Sequence, residues 1–280
     1  MAPVSETITR STRTEGEAAT LLVRIMGQQL HVSVRPGDGT RTPLLLMNGI
    51  GANLELLQPF VDALDPAIPV IRFDVPGTGG SPTPPFLYRF PQLAWLVGRM
   101  LDKLNFRYVD VLGISWGGAL AQQFALQNRW RCRRLVLVST GTGAIMIPGR
   151  PSALAKLATP RRYFDPAYMT EIAHDVYGGD LPADLVHKYA DQLRPGHPLG
   201  YAYQLMAGAG WTSVHWLHCL RQPTLILSGD SDPLIPPANA KLMHRLIPGS
   251  SLYIFHGGHL GLVAQAPELV KVIQPFLSAP

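Results

Sequence analysis

The sequence predicts an α/β fold with a mostly parallel central sheet, helices on its flanks and an inserted, mainly helical lid. Three observations carry that expectation. Continuous apolar runs of strand length recur along the chain, stretches with helical periodicity separate them, and the strand runs stop between about residues 142 and 217. Such runs suit strands buried on both faces, as parallel sheets require, and the alternation of the two element types marks the layered α/β class.

The 280 residues suffice for one large core with an insertion, without disulfides. Charged residues make up 15% and hydrophobic ones 46%, against roughly 25% charged in an average protein. So little charge implies an apolar pocket or contact face. The net charge of +5 and pI near 9.4 raise the question of nucleic acid. The basic residues are dispersed, however, except for Arg129, Arg131, Arg133 and Arg134 around Trp130 and Cys132. That run reads as a solvated helix-to-strand connection, and no nucleic-acid partner is expected. Cys132 and Cys219 cannot form a disulfide framework. No secretory leader or membrane-spanning run is visible, which favours the bacterial cytoplasm or another reducing compartment.

Taken in order, residues 1–20 are Ser/Thr/Glu-rich without periodicity and read as a flexible arm. Two β-rich runs at 21–34 flank Gly27 as an edge hairpin. Residues 43–47 form a buried strand that ends in the small-residue loop 48–53. Asn53 is placed to cap a helix with apolar positions Leu54, Leu57, Phe60, Val61 and Leu64. A second buried strand, 70–73, runs into a glycine-rich loop at 74–82. Its glycines do not fit G-x-G-x-x-G and prolines follow where a helix should start, so a dinucleotide site is rejected. Leu93, Leu96, Val97, Met100, Leu101 and Leu104 recur at the clearest helical spacing in the chain.

Next come a strand from Val109, a helix over 117–127 and a strand at 135–138. The core is therefore expected at 21–141 and 218–280, with a lid at 142–217 that holds Met146, Tyr163, Phe164, Tyr168, Tyr201, Tyr203, Met206, Trp211 and Trp216. His215, His218 and Cys219 stand at i, i+3 and i+4 but lack a fourth ligand, so no metal is expected. No cofactor is expected either. The sheet resumes at 223–228, followed by a helix at 237–246, a strand at 252–255 and a last helix starting near Pro267, a residue suited to the first helical turn.

Chemistry enters at Gly113-Ile114-Ser115-Trp116-Gly117. Glycines two residues either side of a serine allow the hard strand-to-helix bend that pushes its hydroxyl outward. Alone, the pattern is one that composition can supply by chance. Ligands in open α/β sheets sit beyond the carboxyl ends of the strands. Ser115, the pair Asp230 and Asp232, and the pair His256 and His259 all fall at such ends. Serine is a weak nucleophile at neutral pH unless a base and an acid support it. Asp232 is the preferred acid, because Asp230 stands at the bend itself and Pro233 holds Asp232 extended. His259 is the preferred base, because Gly257 and Gly258 let the backbone swing it toward the serine. The oxyanion hole is expected from the backbone N–H groups of Ile50 and Trp116, and substrate contacts from Asn48, the Trp116 indole and Met146.

With Ser, Asp and His in that order, the chain resembles the intracellular medium-chain-length polyhydroxyalkanoate depolymerases of the α/β-hydrolase superfamily, over about residues 21–276. The carrying stretches are Asn48-Gly49-Ile50-Gly51-Ala52-Asn53, Phe73-Asp74-Val75-Pro76-Gly77-Thr78-Gly79-Gly80-Ser81, Gly113-Ile114-Ser115-Trp116-Gly117-Gly118 and Gly257-Gly258-His259-Leu260. Where many α/β-hydrolases have His-Gly, this chain has Asn48-Gly49; Trp116 after the serine is the more distinguishing feature. The resemblance implies an α/β-hydrolase fold and a cytoplasmic esterase at the surface of polyester storage granules, acting through an acyl-enzyme on Ser115. Its partner would be a polyester granule or a lipophilic ester. The alternatives are a small-molecule hydrolase of the same fold, such as a lipophilic carboxylesterase or carbon–carbon bond hydrolase, and a non-catalytic granule-binding protein.

Overall fold

A computed structural model describes residues 8–10, 18–159, 165–179, 186 and 198–279. Nine strands form one sheet: β1 (Ile8–Arg10), β2 (Ala19–Ile25), β3 (Gln28–Arg35), β4 (Leu44–Met47), β5 (Val70–Phe73), β6 (Val109–Ile114), β7 (Cys132–Val138), β8 (Thr224–Gly229) and β9 (Ser251–Phe255), in the order β1-β2-β3-β5-β4-β6-β7-β8-β9. Pairing is antiparallel from β1 to β5 and parallel from β5 through β9. The β2–β3 hairpin turns at Met26 and Gly27, both with positive φ, as a two-residue turn between right-twisted strands requires. This hairpin is not the sheet's edge. Ile8–Arg10, within the stretch expected as a flexible arm, adds β1 outside it.

The apolar runs divide their side chains between two cores. Leu44 and Leu46 of β4, with Leu112 and Ile114 of β6, face one layer; Leu45 and Met47, with Val109 and Val111, face the other. The first layer is covered by α1 (Gln58–Ala63) and the C-terminal α9 (Ala266–Ser278), the second by α2 (Phe90–Lys103), α3 (Trp116–Gln127) and α7 (Pro237–Leu246). Burial of each such Leu or Ile contributes roughly 1.5–3 kcal/mol. Between β7 and β8 stand α4 (Pro151–Ala158), α5 (Pro166–Tyr177) and α6 (Pro198–Gly208); a short α8 (Gly261–Ala264) precedes α9. Of the aromatic residues expected in this insertion, Tyr163 and Phe164 lie outside the described residues. No helix among the described residues is long and apolar enough to cross a membrane.

Two local expectations need correction. Asn53 occupies the N-cap position of a 3₁₀ turn (Leu54–Leu57), but its side chain makes no capping bond. The Leu54 N–H donates instead to Asp74 Oδ1 at 2.7 Å, so a carboxylate from the loop after β5 does the capping. The arginine run is not simply solvated. Arg131 pairs with Asp102, Arg133 clasps Asp110 through two bonds of 2.9 and 2.6 Å, and Arg134 donates to the carbonyl of Ala279 at 2.6 Å. These cations tie the start of β7 to α2, to β6 and to the end of α9.

Candidate active site

Ser115 stands between β6 and α3 with φ 55° and ψ −122°. A non-glycine residue with positive φ is strained, and such a backbone persists only where its surroundings over-determine it. Here its N–H donates to the carbonyl of Val138 at 3.0 Å, and its carbonyl accepts from the Thr140 hydroxyl at 2.7 Å and the Gly118 N–H at 2.9 Å. The glycines serve close approach. A Cβ on Gly117 would lie 2.2 Å from the Met47 carbonyl oxygen, and one on Gly113 would lie 2.3 Å from that of Gly117. Only bare backbone lets α3 start this close to the end of β4.

A continuous chain of hydrogen bonds leads away from the serine. His259 Nε2 is 2.9 Å from Ser115 Oγ, and His259 Nδ1 is 2.8 Å from Asp232 Oδ2. Asp232 Oδ1 accepts the backbone N–H groups of Leu234 and Ile235, each at 2.9 Å, so both carboxylate oxygens are engaged and the side chain is fixed. An ionised carboxylate only accepts, which assigns the proton to Nδ1 and leaves Nε2 to accept from the serine hydroxyl. Asp232 and His259 are buried. His259 is held from the insertion too, since its N–H donates to the carbonyl of Tyr177, the last residue of α5, at 2.6 Å. A Cβ on Gly258 would lie 2.1 Å from that same oxygen, so α5 can sit here only over a glycine.

The neighbouring acid and imidazole form a separate pair. His256 Nδ1 lies 2.9 Å from Asp230 Oδ2, on the surface, and Asp230 Oδ1 accepts the Gly257 N–H at 3.1 Å. The structure therefore brings Ser115, His259 and Asp232 together and leaves Asp230 and His256 outside.

A cavity opens at Ser115 and His259, walled by Ile50, Leu56, Leu157, Leu234 and Leu260. Ile50 and Ser115 thus share one cavity. Among the described residues, neither the Ile50 N–H nor the Trp116 N–H has an intramolecular acceptor; Trp116 is the first residue of α3, where the helix itself supplies none. Three of the expected substrate contacts are absent from this wall. The Trp116 indole turns to the opposite core, packs 4.8 Å from the Phe90 ring and donates to the carbonyl of Gln204 at 2.9 Å. Asn48 is buried, its amide directed to the Asn53 carbonyl at 2.5 Å. Met146 lies against Gly141 in the turn after β7. Sequence reasoning missed Leu157 and Leu234 as wall residues, since each reads as ordinary core. It also missed Gln204, which carries no motif.

A family model described as the alpha/beta hydrolase fold matches residues 42–264. The poly(3-hydroxyalkanoate) depolymerase of Ectopseudomonas oleovorans is 51% identical over 257 residues, covering 91% of each chain. The 3-oxoadipate enol-lactonase 2 of Acinetobacter baylyi is 27% identical over 253 residues, 86% of this chain and 90% of that one. Among solved structures, a hydrolase from Pseudomonas aeruginosa PA01 superposes with a TM-score of 0.77 at 25% identity, over 95% of this chain and all of the other.

Proposed function

The chain belongs to the alpha/beta hydrolase fold family, and we propose that within it the protein is a serine esterase that depolymerises poly(3-hydroxyalkanoate) carrying medium-length side chains. The observation that carries the chemistry is the relay from Asp232 through His259 to Ser115, with contacts of 2.8 and 2.9 Å. The substrate class rests on the relative at 51% identity, a named poly(3-hydroxyalkanoate) depolymerase. An aliphatic wall beside the serine suits alkyl groups, each buried CH₂ being worth about 0.8 kcal/mol.

In this reading Ser115 Oγ attacks the ester carbonyl carbon while its proton passes to His259 Nε2. Asp232 holds the ring and stabilises the imidazolium that forms. The carbonyl oxygen becomes an oxyanion, received by the Ile50 and Trp116 N–H groups; losing one such donor typically costs about 10²–10³ in rate. The carbon–oxygen bond to the departing hydroxyalkanoate then breaks, and that alkoxide takes the proton from Nε2. Water next gives a proton to Nε2 and its oxygen to the acyl carbon; the bond from that carbon to Ser115 Oγ then breaks, Oγ takes the proton back from Nε2, and a 3-hydroxy acid or oligomer is released. The work site of such an enzyme is the surface of storage granules in the cytoplasm.

Incubation of purified protein with native medium-chain polymer granules tests the assignment. Wild type is expected to release 3-hydroxy acids or short oligomers, identified by mass spectrometry, and S115A to release none. Cleavage of soluble lipophilic esters without any release from granules would reassign the protein as a small-molecule esterase.

A further inference from the structure

Helix α6 of the insertion carries a polar side chain into the interior. Gln204 is fully buried, and its Oε1 accepts the Gly51 N–H at 2.7 Å. Its backbone carbonyl accepts the indole Nε1–H of Trp116 at 2.9 Å. Gly51 follows Ile50 and Trp116 follows Ser115, so a single residue of the insertion grips both segments assigned above to the oxyanion hole. The Asn48 amide closes the two ends of this loop on the Asn53 carbonyl, and between those ends Gln204 supplies the side-chain bond. Gly49 and Gly51 flank Ile50, Gly51 has φ 74°, and the local turn bond from Ala52 to Gly49 is long at 3.3 Å. Two glycines leave the backbone many accessible states, and a donor works on an oxyanion only when it is aimed before the reaction. Gln204 Nε2 has no partner among the described residues. An apolar side chain of the same length would suit this interior better, so the glutamine's contribution is its acceptor oxygen.

We propose that Gln204 is a positioning residue of the oxyanion hole, aiming the Ile50 N–H through Gly51 and fixing the elbow through the Trp116 indole. This rests on the serine-esterase reading. It also makes oxyanion stabilisation depend on the seating of α6.

The test compares wild type, Q204M (no side-chain acceptor) and Q204E (acceptor kept) for p-nitrophenyl octanoate turnover. The same proteins are titrated with an alkyl trifluoromethyl ketone, which forms an oxyanion on the serine, and with the corresponding alcohol, which does not. Q204M is expected to lose about 10–100-fold in kcat with KM changed by less than about threefold, ketone affinity falling in parallel and alcohol affinity unchanged. Q204E is expected to recover most of the loss. Folded Q204M with kcat within about twofold of wild type, or with ketone and alcohol weakened equally, overturns the proposal. If Q204M does not fold, W116F carries the test, because it removes the indole donor and keeps the backbone N–H. Selective weakening of the ketone by about threefold or more supports the proposal, and a smaller or unselective change overturns it. Wild type that binds the ketone no more tightly than the alcohol would instead refute the serine-esterase reading itself.

Discussion

Two acid–imidazole pairs sit side by side at the ends of β8 and β9, and a displacement of two or three residues separates them. Asp232 and His259 are buried with both carboxylate oxygens bonded, whereas the His256 side chain is 90% exposed. Only His259 reaches Ser115. In the proposed mechanism the buried carboxylate fixes a tautomer, so D232N, which cannot accept from Nδ1–H in the same way, is expected to lower kcat by about 10⁴. D230N and H256A are expected to stay within about twofold of wild type on the same soluble ester. A D232N enzyme with near-normal kcat would remove Asp232 from the mechanism. Sequence could place Ser115, Asp232 and His259 at strand ends because each follows a readable apolar run. Gln204 was invisible to it, because a lone glutamine in an amphipathic stretch has no local signature and its meaning comes from residues more than 80 positions away.

At the scale of elements, the loop after β5 is organised around one carboxylate. Asp74, almost fully buried, accepts from the Leu54 and Gly80 N–H groups and from the ring of His31 on β3 at 2.7 Å. The hydrogen bond to Asp74 raises the His31 pKa above the ordinary 6.5, against the opposing effect of burial. The folded state therefore favours the imidazolium. That stabilisation is complete below the unfolded value of 6.5 and fades as pH rises through the raised folded value. The wild-type advantage in Tm over H31Q should thus be larger at acidic pH than at alkaline pH, by about 2–4 °C in thermal denaturation. An advantage independent of pH would show that the pair is not charged. The misplaced capping role of Asn53 belongs to this scale. A residue in the right position with the right side chain was outcompeted by Asp74, from the loop after the next strand, and local sequence contains no trace of that competitor.

For the molecule as a whole, the parallel sheet was legible because β4 to β8 carry apolar runs buried on both faces. Of the two edges, β9 was legible at 252–255 although most of its residues are at least partly exposed, whereas β1, only three residues long, was not. The insertion was readable as a break in the strand rhythm, but not the way its helices reach the site, α5 through the Tyr177 carbonyl and α6 through Gln204. The sheet supplies the strand ends, the insertion fixes the groups between them, and both converge on one atom, Ser115 Oγ. The most direct measurement is an acid quench of the enzyme turning over p-nitrophenyl octanoate, followed by peptide mass spectrometry. An octanoyl group on Ser115, formed during turnover and lost when substrate is exhausted, is the expected result. Full turnover with Ser115 unmodified, and with the acyl group on another residue, would contradict the account.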